Sequence, residues 1–181
     1  MLAHCLTALR LLLALPTAWA LATPVTAPPW LALLCIVVAI VTDIADGKVA
    51  RARGTASAGG QLFDHSTDCL FVASALFGAS AAGYVTPWLA PLVVFAFLQY
   101  VLDSRFLHRQ KQLRMSKLGR WNGVFYFVPS LVCALAMLLP DSLAGITRTA
   151  AYWIAWALVL STLLSILDRA LARPAFISSA R

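Results

Sequence analysis

Four aspartates fall in one short stretch of the chain: Asp43, Asp46, Asp64 and Asp68. The sequence has only seven acidic residues, all of them aspartates, so more than half lie here. Asp43 and Asp46 lie three positions apart, and Asp64 and Asp68 lie four apart, which places each pair on one helix face. Because only a short loop separates the two segments, we expect two antiparallel neighbouring helices whose carboxylate pairs face each other.

Carboxylates at such close quarters repel one another or take up protons unless cations compensate them. Two divalent ions would supply four positive charges, and all-oxygen ligands favour Mg²⁺ or Mn²⁺ over Zn²⁺. The spacing therefore predicts a site for two such ions. His65 and Cys69 are adjacent in sequence, but helical spacing turns them away from the Asp64–Asp68 face, so we do not expect them to be ligands.

The composition is that of a membrane protein. The chain is 61% hydrophobic and 12% charged, whereas soluble domains have about 25% charged residues. Six segments approach the roughly 20 apolar residues that a spanning helix needs. They are Leu6–Leu21, Trp30–Arg51, Gly60–Tyr84, Pro87–Leu107, Trp121–Leu139 and Thr149–Ala172. We predict an all-α protein with six transmembrane helices, forming a single domain over residues 1–181.

The basic residues predict the orientation of these helices. With a cytoplasmic N-terminus, all of the 14 Lys and Arg residues except Arg148 fall on or near the cytoplasmic side, as the positive-inside rule requires. Both termini would then be cytoplasmic, and the aspartates would lie at the cytoplasmic ends of the second and third helices. The net charge of +7 is thus interpreted as topology and headgroup binding, not as affinity for nucleic acid.

Two other interpretations compete with this one. Leu11–Ala20 resembles a short signal peptide with a small-residue cleavage site, but its removal would leave five spans and move one end of the chain across the membrane. A transporter would carry acidic groups at mid-bilayer depth on several helices, whereas these aspartates lie at two adjacent helix ends. A membrane enzyme fits the pattern better.

The stretch Asp43–Asp68 reads D-x2-D-G-x2-A-R-x8-G-x3-D-x3-D. Eight fixed positions at set spacing are far more specific than a typical short motif. The stretch resembles the signature of the CDP-alcohol phosphatidyltransferases, and the length and six-helix layout are similar to those of the family. Other metal-dependent phosphoryl and prenyl transferases use different acidic spacings, in which the Gly-x2-Ala-Arg insertion would have no role, and the intact aspartates argue against a pseudoenzyme.

The resemblance implies a role for each signature residue. Asp43, Asp46 and Asp64 would bind one metal ion, and Asp43, Asp64 and Asp68 the second. Asp68 would also act as the catalytic general base toward the acceptor hydroxyl. The pocket for the CDP-lipid would be lined by Gly47, Ala50, Arg51, Ser57 and Gly60.

The same resemblance implies the reaction and its setting. A phosphatidyl group would pass from CDP-diacylglycerol to a small alcohol, and CMP would leave. The expected partners are these substrates, membrane lipids and a second copy of the chain, since family members are commonly homodimers. The expected location is the bacterial inner membrane, with the active site facing the cytoplasm.

The acceptor alcohol is left open by the sequence. Length and the segment Leu6–Arg10 resemble bacterial phosphatidylglycerophosphate synthases, which makes glycerol 3-phosphate the first expectation, with Arg105, Lys117 and Arg120 as candidate phosphate ligands. However, His65 and Cys69 stand where those enzymes usually have Pro and Lys. Inositol phosphate, serine or an unphosphorylated alcohol therefore remain alternatives.

Overall fold

The structure is a computed structural model. It describes the backbone of residues 2–52, 58–103 and 117–171, and the side chains of the same residues apart from 2–5, 46–52, 58 and 117. All regular secondary structure in these ranges is helical, which confirms the all-α part of the predicted fold class. The helices are α1 (Leu2–Ala22), α2 (Leu31–Ala52), α3 (Ala58–Ala81), α4 (Leu89–Leu102), α5 (Lys117–Phe125), α6 (Phe127–Ala136) and α7 (Asp141–Leu171).

Each predicted segment corresponds to a helix, but the fifth is divided in two at Tyr126. The cause is Pro129, which has no N–H to donate to the carbonyl of Phe125 one turn earlier, so a new helix begins at Phe127 with Pro129 in its first turn, where proline fits well. The last helix begins at Asp141, eight residues before the predicted start at Thr149, because Pro140 ends the preceding turn and the Asp141 carboxylate suits a helix N-terminus.

Among the helices that the structure describes, α7 alone has the length and apolarity of a membrane span. Its 31 residues extend about 46 Å, more than the hydrocarbon thickness of about 30 Å. Shorter apolar stretches run over Leu6–Ala22, Leu31–Ala45 and Leu89–Leu102. The six spans and the cytoplasmic termini remain predictions.

Helix α1 continues through Pro16 and packs against both α2 and α3. The approach to α3 is close at Gly78, where an added Cβ would lie 2.2 Å from the carbonyl oxygen of Ala18. Ala75 and Ala79 on the same helix are also buried. These small residues of α3 therefore allow α1 to pack closely against it within the chain, as small residues do at helix contacts in membrane proteins.

The other helices pack around α7, which contacts α4, α5 and α6. Two hydrogen bonds attach the α5 region to it. The Ser161 hydroxyl donates to Asn122 Oδ1 (2.7 Å), and the hydroxyls of Tyr126 and Thr162 share a buried hydrogen bond of 2.8 Å. Since hydrogen bonds inside apolar surroundings are not weakened by competing water, these contacts fix the position of α5, which carries Arg120.

Candidate active site

Three of the four predicted aspartates meet around one arginine. Arg10 lies on α1, Asp43 on α2, and Asp64 and Asp68 on successive turns of α3. Arg10 Nη2 is 3.3 Å from Asp43 Oδ1, and Arg10 Nη1 is 3.2 Å from Asp64 Oδ1. Arg10 Nη1 also donates a hydrogen bond to Asp68 Oδ1. The predicted convergence of carboxylates from the second and third helices is therefore present in the structure.

The exposure of these side chains differs sharply. Arg10 is fully buried, whereas the side chains of Asp43, Asp64 and Asp68 are 42%, 29% and 25% exposed. The carboxylates can thus be approached from the side opposite the guanidinium. Oxygen donors from three residues are the ligand set that Mg²⁺ and Mn²⁺ prefer, so the donor set fits the predicted type of metal ion.

His65 lies closer to the cluster than the sequence suggested. One ring nitrogen of His65 and one carboxylate oxygen each of Asp64 and Asp68 lie within 4.8 Å of one another, and the Gln61 amide nitrogen is 3.5 Å from His65 Nε2. The expectation that His65 turns away from the carboxylates was therefore wrong in its geometry. Adjacent helical positions diverge by about 100°, but the long imidazole reaches back across that angle.

Several predicted site residues lie outside the described part of the chain. Ser57 and Arg105 are outside the described residues altogether. Lys117 is the first residue of α5, and Asp46, Gly47, Ala50 and Arg51 belong to the last turns of α2, but their side chains are not among those described. Gly60 is partly buried on α3, one turn before Asp64. The roles predicted for all these residues remain predictions.

A cavity of about 460 Å³ opens beside the carboxylates. Asp43, His65 and Asp68 line it, as do Arg120 and Arg169. The remaining wall is largely apolar and is formed by Ile40, Ile44, Cys69, Val72, Val93, Ala96, Phe97, Tyr100, Gly119, Gly123, Val124, Tyr126, Phe127 and Ile166, with Gln99 and Ser165 as further polar members. Acidic, basic and apolar surfaces thus share one chamber.

Contacts between α4 and α7 hold Arg169 and Gln99 in place in the cavity wall. The Arg169 guanidinium carbon lies 5.0 Å from the centre of the Tyr100 ring, a cation–π distance. Gln99 Nε2 donates to the backbone carbonyl of Ile166 at 3.2 Å, which fixes the orientation of the amide. Gln99 Oε1 is buried and has no hydrogen-bond partner among the described residues, so it is an acceptor in the cavity wall.

Comparison with known proteins identifies the family. The family model "CDP-alcohol phosphatidyltransferase" matches residues 1–167, which include every helix that contributes to the cluster and nearly all of α7. The chain belongs to this family. The CDP-alcohol phosphatidyltransferase signature recognised in Asp43–Asp68 is thereby confirmed.

A curated relative of the chain is the CDP-diacylglycerol–glycerol-3-phosphate 3-phosphatidyltransferase of Cereibacter sphaeroides. The two are 29% identical over 136 residues, which is 73% of this chain and 61% of the relative. The chain therefore spans less than two thirds of the length of that relative. No solved structure is significantly similar to the chain.

From the sequence alone, no role was assigned to two arginines that the structure places beside the candidate site. Arg10 and Arg169 were both counted as positive-inside charges, because each lies near a helix end that was assigned to the cytoplasmic side. Their burial and partners come from the packing of α1 on α3 and of α7 on α4. The one available signal was the resemblance of the Leu6–Arg10 segment to family members, which singled out Arg10 but gave it no role.

Proposed function

We propose that the chain transfers a phosphatidyl group from CDP-diacylglycerol to a small phosphorylated alcohol and releases CMP, as a step of phospholipid synthesis. Family membership supports the reaction class. The name of the curated relative makes glycerol 3-phosphate the first acceptor to test. One structural observation carries the proposal: Asp43 and Asp68 of the signature line the same cavity as Arg120 and Arg169.

The acidic and the basic residues of the cavity suit the two substrates. We assign the carboxylates to binding of the CDP-diacylglycerol diphosphate through divalent cations. Arg120 and Arg169 carry the charge and the donor geometry that a phosphate monoester requires, and we assign them to the acceptor. The apolar wall offers room for part of the lipid. The acceptor hydroxyl would then lie between the arginines and Asp68.

Asp68 is the proposed general base. Its side chain lines the cavity, and its Oδ1 is held by Arg10. In the proposed step the acceptor oxygen forms a bond to the phosphorus nearer the lipid, and its proton passes to an Asp68 oxygen. The bond from that phosphorus to the bridging oxygen breaks, and CMP leaves with the bond's electron pair. A carboxylate is a weak base, so its contribution comes from position rather than from basicity.

The proposed cofactor is a pair of Mg²⁺ or Mn²⁺ ions held by Asp43, Asp46, Asp64 and Asp68. When bound, divalent cations neutralise charge on the diphosphate and on the departing CMP. One oxygen each of Asp64 and Asp68 and a ring nitrogen of His65 lie within 4.8 Å of one another, and Asp43 Oδ1 lies 3.3 Å from the guanidinium that also contacts both of these aspartates. Asp46 follows Asp43 by three positions on α2, which supports a place on the same face.

We also propose the setting predicted from the sequence. The protein would reside in the bacterial inner membrane with this cavity open toward the cytoplasm, where water-soluble acceptors are available. The long apolar helix α7 supports membrane insertion. A homodimer is part of the same proposal.

The test is CMP release by purified protein in detergent with CDP-diacylglycerol. Glycerol 3-phosphate, inositol phosphate, inositol, serine and glycerol are compared, each with Mg²⁺, with Mn²⁺ and with excess chelator. Metal-dependent release with glycerol 3-phosphate alone is the expected result. Release only with another acceptor would retain the reaction class and replace the substrate, and no release from protein that binds CDP-diacylglycerol would reject every acceptor tested.

A further inference from the structure

Arg10 is placed unlike any other cation in the described part of the chain. Its side chain is fully buried, and its two terminal nitrogens contact one oxygen each of three carboxylates from two helices. A fully buried guanidinium is not exposed to lipid headgroups or to water. Its charge acts inward, on Asp43, Asp64 and Asp68.

A buried guanidinium is stable only where opposite charges offset the free-energy cost of its desolvation. Removing a cation of this size from water costs several kcal/mol unless opposite charges compensate it. The three contacted carboxylates provide that compensation, and Arg10 in turn offsets one of their three negative charges. Two negative charges of these three carboxylates remain, and one divalent cation would balance them.

The same oxygens would be the metal ligands. Asp43 Oδ1, Asp64 Oδ1 and Asp68 Oδ1 all face Arg10 nitrogens, and the Arg10 charge repels any second cation in the cluster. Each carboxylate keeps a second oxygen and further lone pairs. Arg10 therefore opposes metal binding in part without excluding it.

We propose that Arg10 is the internal counter-cation of the carboxylate cluster. It holds the three aspartates together when no metal is bound, and it lowers the affinity of the cluster for divalent cations. This inference rests on the metal site of the proposed function but not on the identity of the acceptor. It assigns Arg10 a positioning role, since it acts through the aspartates.

The experiment measures Mn²⁺ binding to the full chain in detergent, from the electron paramagnetic resonance signal of free Mn²⁺. Arg10→Gln removes the charge and leaves a shorter, neutral polar side chain. We expect its Mn²⁺ dissociation constant to fall by about tenfold. In chelator, the midpoint of its thermal unfolding should fall below that of the native protein, and saturating Mn²⁺ should restore most of the difference.

Arg10→Lys provides a second variant that retains the charge. A single ammonium cannot span three carboxylates as two guanidinium nitrogens do, so we expect Mn²⁺ affinity between those of the native protein and Arg10→Gln. If Arg10→Gln fails to fold even with Mn²⁺, Arg10→Lys alone decides, and native affinity in that variant would overturn the proposal.

The matched control is Arg148→Gln, which removes an arginine that lies over the Tyr84 ring, away from the carboxylates. It should leave Mn²⁺ affinity unchanged. Unchanged or weaker Mn²⁺ binding in Arg10→Gln would overturn the role of Arg10, as would the absence of Mn²⁺ binding in every form. Metal-dependent CMP release by the native protein is scored separately, so the proposed function can stand if the role of Arg10 fails.

Discussion

Arg10 and Asp68 lie 58 positions apart in the chain, and their side chains are in direct contact. The contact joins α1 to the second of two carboxylates on α3, and it leaves Asp68 also lining the cavity. The proposed general base is thus held from one side by a buried cation and is open on the other. Its orientation depends on the packing of α1 against α3 as much as on its own helix.

This arrangement predicts that Asp68→Asn will lose turnover while retaining the donor lipid. The amide keeps the shape of the side chain and can still accept a hydrogen bond from Arg10, but it cannot take the acceptor proton. We expect the rate of CMP release to fall by about 10²- to 10⁴-fold, with the dissociation constant for CDP-diacylglycerol changed by less than about threefold.

Asp141→Asn is the control for removal of an aspartate outside the site, since Asp141 lies at the exposed start of α7. It should release CMP at the native rate. Near-native turnover in Asp68→Asn would exclude Asp68 as the base and would direct attention to His65, whose ring nitrogen lies in the same cluster.

Arg120 and Arg169 should act on the acceptor. Each is expected to donate charge-assisted hydrogen bonds to its phosphate, worth about 1.5–3 kcal/mol apiece. Arg120→Gln and Arg169→Gln should therefore raise KM for glycerol 3-phosphate by about 10- to 100-fold, with a smaller effect on kcat. Steady-state kinetics over a range of acceptor concentrations measures both quantities.

The effect of these two substitutions should vanish with an uncharged acceptor. If the native protein turns over glycerol slowly, the two variants should use it at the native rate. A fall of equal size for glycerol and glycerol 3-phosphate would show that the arginines support the cavity wall and do not bind phosphate. Arg148→Gln again serves as the control for loss of an arginine elsewhere.

The difference between Asp43 and Arg10 shows what the sequence could predict. Asp43 belongs to a motif whose spacing fixes its helix face, so its meeting with Asp64 and Asp68 followed from periodicity and a short connecting loop. Arg10 lies on another helix, and no local spacing relates it to the aspartates. Its place in the cluster depends on how α1 crosses α3, which is set by tertiary packing at residues such as Gly78.

The helix boundaries show the same difference between what local sequence predicts and what it does not. The apolar segments predicted where the helices lie, because length and hydrophobicity are local properties. The division at Tyr126 had a visible cause in Pro129, yet the segment was treated as continuous because its apolar character does not change there. The early start of α7 was missed because the prediction followed the apolar run, whereas the residues before Thr149 are helical as well, and Thr147 and Thr149 donate to carbonyls one turn earlier.

Gln99 provides a test of how the acceptor is recognised. Its Nε2 donates to Ile166, so its buried Oε1 is available to accept a hydrogen bond from a hydroxyl in the cavity. Gln99→Leu should raise KM for glycerol 3-phosphate by about 3- to 10-fold. The comparison substrate is 3-hydroxypropyl phosphate, which lacks the secondary hydroxyl.

The native protein should prefer glycerol 3-phosphate over this analogue, and Gln99→Leu should use the two about equally. Loss of preference, rather than loss of activity, is the informative result. If the variant retains the native preference while losing activity on both substrates, Gln99 holds α4 against α7 through Ile166 and does not contact the acceptor.

The close crossing of α1 and α3 gives the last prediction. At Gly78 an added Cβ would lie 2.2 Å from Ala18 O and 2.8 Å from Ala18 Cα. Both are backbone atoms, so one of the two helices must move. We expect Gly78→Ala to destabilise the fold by about 1–3 kcal/mol and to lower CMP release, because displacement of α1 moves Arg10 relative to Asp68.

Gly145→Ala on α7 is the matched control, since nothing lies within 4 Å of its added Cβ, and the helix preference of alanine should stabilise it by up to about 1 kcal/mol. Thermal unfolding of both variants in the same detergent makes the comparison, and equal stability of the two would contradict the close approach of α1 and α3.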